Sequence, residues 1–195
     1  MSDRVDSIET VGVVGAGTMG SGIAQVSAMA GYDVVMADLD VDRLEAGFES
    51  IEESLDRFVR GEQLSADTTQ GVRDRISGTT ETGELADCEF VVEDVVEELA
   101  VKQDVFADLD EVTEAGTVLA TNTNTLSVTS IAGATSRPED VVGLHFMNPV
   151  QIMNGAEIVV GEHTAERTVD VAHAFAEDLG KQAWEVDDRP GFVTN

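Results

Sequence analysis

Six residues limit what this chain can fold into more than any others: Gly15-Ala16-Gly17-Thr18-Met19-Gly20, set between the apolar run Val11-Gly12-Val13-Val14 and a helical stretch from Ser21 to Ala30. Each glycine has a separate physical task. The first permits a tight turn, the second lets phosphates approach the backbone, and the third lets helix and strand pack closely. Such a loop occurs by chance, so its surroundings decide. Here a strand precedes it, a helix closed by Gly31 follows it, and an acid, Asp38, ends the second apolar run Val34-Val-Met-Ala 18 residues after Gly20. A pyrophosphate on this loop rests on the free N–H groups and positive dipole end of the helix. Asp38 then meets the adenosine ribose hydroxyls and repels a 2′-phosphate, for which Leu39-Asp40 offers no arginine. The expected cofactor is therefore NAD, held by Gly15, Ala16, Gly17, Thr18, Met19, Gly20 and Asp38.

The remaining pattern extends that unit. Val41 to about Arg60 repeats apolar residues at helical spacing (Leu44, Phe48, Ile51, Leu55, Phe58 and Val59), Gly61 breaks it, and Ser65 to Ile76 reads as a return helix. A helical hairpin over about 41–76 thus interrupts the sheet. Strands follow at Phe90-Val-Val-Glu, Val118-Leu-Ala-Thr, Val141-Val-Gly-Leu-His, Glu157-Ile-Val-Val and Gln182 to Val186. Between them lie helices at Leu99–Val112, Ser127–Ala134 and Ala165–Leu179. Strands alternating with helices imply right-handed parallel crossovers, hence an α/β, doubly wound, mostly parallel Rossmann-type sheet spanning 1–195 as one domain.

Charge is the unusual number. Thirty-nine acidic against 11 basic residues leave −28, and only Lys102 and Lys181 are lysines. Such a surface rejects nucleic acid and anionic membranes. It suits high intracellular salt, since the Debye length falls to about 3 Å at 1 M; an ordinary acidic cytoplasmic protein is the plainer alternative. The first ten residues have neither the basic start nor the apolar core of a signal peptide. A single cysteine, Cys88, excludes an intramolecular disulfide, fits a cytoplasmic setting, and reads as a structural, half-buried thiol. No metal-ligand spacing is present. His163 and His173 read as surface residues, and Trp184 as core or interface.

Chemistry concentrates in Gly143-Leu-His-Phe-Met-Asn-Pro-Val150 and in Glu157. His145 ends a strand expected to run parallel to the nucleotide-binding ones, which places it at the carboxyl edge where doubly wound folds hold ligands. A histidine there suits removal of a hydroxyl proton as hydride leaves the same carbon. Glu157 is within reach to fix its tautomer. A satisfied structural histidine is the competing reading.

At these residues the chain resembles the 3-hydroxyacyl-CoA dehydrogenase family, NAD-binding domain. The likeness runs through Gly15–Gly20, Val91-Val-Glu-Asp-Val-Val-Glu-Glu-Leu-Ala-Val-Lys102, Ala120-Thr-Asn-Thr123, Gly143–Pro149, the spacing from His145 to Glu157, and Pro190-Gly-Phe-Val-Thr-Asn195. It implies oxidation of (S)-3-hydroxyacyl-CoA, as in fatty-acid β-oxidation or 3-hydroxybutyryl-CoA metabolism. His145 is then the base, Glu157 its partner, and Asn148 and Asn195 lie near the substrate oxygen and nicotinamide. Glu97, Lys102 and Asn122 fall at cofactor-lining positions; a solvated helix lysine is the alternative for Lys102. Ser54 matches a serine that touches CoA, and Arg57 and Arg60 beside it suit the adenosine phosphates, or merely balance nearby acids.

Two departures stand out. Asn124 replaces the serine that usually follows Asn-Thr and contacts substrate. Asn154-Gly155-Ala156 stands where the family has a cation and two apolar residues before the glutamate. The resemblance also implies that the chain stops at the boundary with a helical domain that completes the acyl pocket and makes most of a homodimer contact. Two other functions remain open: a non-catalytic NAD-binding module without its substrate domain, and a related sugar-acid dehydrogenase of the gulonate type.

Overall fold

The computed structural model describes residues 8–189. Its strands are β1 (Thr10–Val14), β2 (Asp33–Ala37), β3 (Ile76–Thr79), β4 (Phe90–Glu93), β5 (Val118–Thr121), β6 (Val141–Phe146), β7 (Gly155–Val160) and β8 (Gln182–Asp187). The helices are α1 (Thr18–Ala30), α2 (Val41–Arg60), α3 (Ala66–Asp74), α4 (Leu99–Val112), α5 (Val128–Ala132) and α6 (Glu166–Asp178). All eight strands form one sheet in the order β3-β2-β1-β4-β5-β6-β7-β8. The order reverses between β1 and β4, which opens a crevice at their carboxyl ends.

Local chemistry fixes the helix boundaries. Gly31 closes α1 in the left-handed conformation (φ 108°), its N–H reaching Ala28 O at 3.1 Å. The Asp40 carboxylate caps α2 through Arg43 N at 2.9 Å, and Ser65 caps α3 through Thr68 N at 3.1 Å. Strands β4, β5 and β6 are buried along their whole length, as a parallel sheet covered on both faces requires. Val13, Met36, Phe90, Val92, Leu144 and Phe175 belong to one core, where Phe90 and Phe175 stack at 4.2 Å. Leu119, Val91, Phe106, Leu109 and Ile131 belong to the core on the opposite face.

Two sequence expectations need correction. The return helix ends at Asp74, and Ile76–Thr79 is instead an edge strand pairing parallel with β2. The helical hairpin is therefore the crossover between β2 and β3. Second, β7 runs antiparallel to β6, while β8 is again parallel to β7. Only eight residues, 147–154, join β6 to β7, too few for a helical crossover of a dozen residues or more.

Candidate active site

Six parallel strands, β1 to β6, end on one edge of the sheet, and the chemistry-bearing side chains gather there. In the antiparallel β6–β7 ladder His145 lies directly opposite Glu157 on the same face. His145 Nδ1 and Glu157 Oε2 are 2.9 Å apart, and both side chains are buried. With the carboxylate accepting from Nδ1–H, the neutral ring carries its lone pair on Nε2, the nitrogen suited to take a proton. Trp184 continues the row, in register with Glu157 on β8. A Cβ on Gly155 would lie 3.0 Å from its ring, so the tryptophan fills the space this glycine leaves, remaining 38% exposed.

The glycine loop meets the steric demands expected of it. Gly15 has φ 108°, and a Cβ on Gly20 would lie 1.9 Å from the Gly15 carbonyl oxygen, a clash of backbone with backbone. A Cβ on Gly17 would meet nothing within 4 Å, so the loop faces open space there. Helix α1 has no side-chain cap and no acid in its first turn. Among the described residues the N–H groups of Thr18 and Met19 have no protein acceptor. These are the properties of a phosphate cradle, and they fit a dinucleotide. Asp38 accepts from Ala16 N and from Leu39 N, both at 2.7 Å, which aims its carboxylate beside a cleft lined by Gly15, Ala37, Leu39 and Thr80. Arg43, not considered from sequence, stands 3.9 Å from Asp38.

Behind this edge lies a polar cluster that periodicity did not disclose. Lys102 is 1% exposed, and its Nζ contacts Glu93 Oε1 at 2.6 Å and the Val95 carbonyl at 3.3 Å. Glu93, wholly buried, also accepts from the Thr121 hydroxyl at 2.7 Å and from Val95 N at 2.6 Å. Lys102 is thus no solvated lysine; it is the buried counter-charge of Glu93. Glu97, 3.6 Å from Lys102, accepts from the Thr123 hydroxyl at 2.6 Å, Asn124 N at 2.8 Å and Thr125 N at 3.0 Å. Burial pushes its carboxyl up, but those bonds and the Lys102 charge hold it below the usual range.

Asn122 also differs from expectation. Its amide donates to Asp94 Oδ1 and its carbonyl accepts from Phe146 N, both at 2.8 Å, so the side chain is a brace within the protein. Asp94 was not singled out from the sequence; only its place just after a strand beside the glycine loop marked it. Asn124 and Asn148 are exposed at the same edge, Asn148 preceding a cis peptide bond to Pro149. Asn195 lies outside the described residues. Lys181, also unforeseen, is buried and holds the 147–154 loop through the carbonyls of Val150 (2.5 Å) and Met153 (2.8 Å).

Away from this edge the readings divide. Ser54 lies on the inward side of α2 and is only 4% exposed. Arg57 and Arg60 are exposed on that helix, Arg57 being 3.8 Å from Glu53. Cys88 is fully buried rather than half-buried, and burial pushes its thiol up to about 12, an unreactive state. His163 is exposed, whereas His173 has an acid partner, Glu185, at 3.1 Å. No cluster among the described residues could hold a metal ion, and no helix there is long and apolar enough to cross a membrane.

A family model for the 3-hydroxyacyl-CoA dehydrogenase NAD-binding domain matches residues 10–189. The chain belongs to this family. Among curated relatives, 3-hydroxybutyryl-CoA dehydrogenase from Bradyrhizobium diazoefficiens is 39% identical over 96% of the chain and 64% of its own length. A protein of the same name from Mycobacterium tuberculosis is 43% identical over 97% of the chain and 67% of its own length. The crystal structure of (S)-3-hydroxybutyryl-CoA dehydrogenase from Ralstonia eutropha superposes with a TM-score of 0.95 at 36% identity. That match covers 97% of this chain and 67% of the other. The chain thus spans about two thirds of the length of these relatives. Membership fixes the cofactor as NAD, in agreement with the uncapped α1 terminus and the Asp38 carboxylate.

Proposed function

We propose that the chain carries the cofactor half and the proton-transfer pair of an NAD-dependent dehydrogenase that oxidises (S)-3-hydroxyacyl-CoA to 3-oxoacyl-CoA. The observation that carries this reading is the buried His145–Glu157 pair, held at 2.9 Å by direct register across two strands at the carboxyl edge. Bound NAD supplies the hydride acceptor. His145 takes the substrate hydroxyl proton on Nε2, and Glu157 stabilises the imidazolium so formed. Asn148 and Asn124 stand at the same edge as amide donors for the substrate oxygen. Arg57 and Arg60 offer exposed cations to the phosphates of CoA. The fatty-acid β-oxidation role, the cytoplasmic setting and a homodimer completed by a helical domain belong to this same proposal.

The test is NADH oxidation with acetoacetyl-CoA in molar KCl, comparing wild type with His145→Gln. Turnover that disappears in the variant while NADH binding persists supports the reading; turnover that survives loss of His145 refutes the assigned base. NADH binding with no turnover by the wild type favours a non-catalytic module, and oxidation of gulonate instead favours a sugar-acid enzyme. The −28 charge supports a second strand of the proposal, adaptation to high salt. Melting temperature then climbs with KCl, whereas a domain fully stable in dilute buffer without such a gain contradicts it.

A further inference from the structure

Asp94 sits where the sheet order reverses, directly after β4, and its two oxygens face different halves of the site. Oδ2 accepts from Gly20 N, in the first turn of α1, at 2.8 Å. Oδ1 accepts from Asn122 Nδ2 at 2.8 Å, and Asn122 in turn accepts from the N–H of Phe146, the residue after His145. One carboxyl therefore joins the phosphate-binding turn to the strand that bears the proposed base. It does so as a negative charge at a helix terminus whose open N–H groups, at Thr18 and Met19, suit a second anion.

We infer that Asp94 is a positioning residue for the cofactor that takes up a proton when a pyrophosphate docks on the glycine loop. The inference rests on the cofactor half of the function proposed above and not on its acyl-CoA half. The charged neighbours are few. Lys102 on α4 favours the ionised form of Asp94, but its nitrogen is held by Glu93 at 2.6 Å; Glu93 favours the neutral form. Glu97 shares Lys102 at 3.6 Å. Asp38 is turned to Ala16 N, α1 has no acid in its first turn, β5 leads into neutral Asn122, and His145 on β6 is turned to Glu157. Burial pushes the Asp94 carboxyl up to about 6, against the opposing effects of Asn122, Gly20 and Lys102. Phosphate charge arriving at the same turn acts in the same direction as burial. The protonated acid then relieves that repulsion and gains an O–H donor, the proton coming from solvent.

The experiment uses ADP-ribose, whose diester pyrophosphate does not titrate near neutrality, with the wild-type chain in molar KCl. Calorimetric titration at pH 7 in two buffers of different ionisation enthalpy counts the protons taken up. A fraction of a proton per ADP-ribose is expected, with Kd rising by up to about tenfold per pH unit above pH 6. Adenosine, which lacks the pyrophosphate, takes up none, and Asp94→Asn abolishes the uptake and flattens the pH dependence for ADP-ribose. Binding of ADP-ribose without proton uptake overturns the inference, as does equal uptake with adenosine or in the variant. The adenosine arm needs no substitution and so holds even where Asp94→Asn fails to fold. No binding of ADP-ribose at all refutes the cofactor site itself, whereas a null result in the acetoacetyl-CoA assay leaves this measurement intact.

Discussion

Replacing Lys102 by methionine isolates the buried counter-charge of Glu93. Methionine keeps most of the apolar stem and removes only the ammonium, leaving Glu93 fully buried with its Thr121 and Val95 donors but without a counter-charge. Removing one partner of a buried pair costs about 3–5 kcal/mol. For a domain of this size each kcal/mol shifts Tm by about 2–4 °C, so a fall of roughly 6–20 °C is expected. Glu93→Gln in the Lys102→Met background keeps an acceptor for the Thr121 hydroxyl and abolishes the stranded charge. The double variant therefore recovers most of the loss. Urea denaturation in molar KCl, with slopes compared across wild type, both single variants and the double, measures the coupling. Molar salt screens exposed ion pairs but hardly reaches this one, so the deficit persists there. A loss below about 1 kcal/mol for Lys102→Met, the range of a surface pair, refutes the reasoning. So does a double variant no more stable than the two single losses added.

Glu157→Gln leaves His145 a neutral acceptor in place of a carboxylate. Turnover in the acetoacetyl-CoA assay is expected to fall by about 10²–10⁴ with NADH affinity little changed, the scale on which a positioned proton-transfer group acts. Gly143→Ala places a Cβ 2.6 Å from Val159 Cβ and 2.8 Å from Val128 Cγ2, wedging β6 away from its neighbours. Overpacking of this kind costs about 1–3 kcal/mol, read as a lowered urea midpoint. Acid stability has a defined source in Asp188. Burial raises its carboxyl, but bonds from Thr129, Ser127 and Val128 outweigh this and hold it below the ordinary value of 3.8. A depressed carboxyl contributes stability above its unfolded pKa and loses it as pH falls through the folded one. The wild type should therefore lose Tm below about pH 4, and Asp188→Asn should be less stable at pH 7 with a shallower loss in acid.

The cofactor half was legible because its demands are local. A glycine at φ 108° and an acid at a strand end leave marks in sequence that need no tertiary knowledge. The His145–Glu157 pair was legible from strand position only as one of two alternatives, and the resemblance favoured it; the antiparallel register that makes it follows from the eight-residue link between β6 and β7. Edge strand β3 escaped because Ile-Ser-Gly-Thr is four residues with a single large apolar side chain, and a preceding helix absorbs it easily. Glu93, Asp94 and Lys181 escaped for a different reason. A buried charge is settled by its partner, and the partners lie on other elements: Lys102 on α4, Gly20 on α1, and the 147–154 loop. Composition argued for solvent at each of these positions, and packing chose otherwise.

The chain's two lysines are both interior, at 1% and 7% exposure. Its other permanently charged basic side chains are arginines. Thioesters such as acyl-CoA transfer their acyl groups to unprotonated amines, and Lys181, whose ammonium is held below its usual range by burial, is shielded by the carbonyls it binds. With acyl-CoA as the proposed substrate, this chain presents no ε-amine to its thioester. The same burial withholds both lysine side chains from amine-directed labels and cross-linkers, so side-chain attachment must begin from an introduced residue.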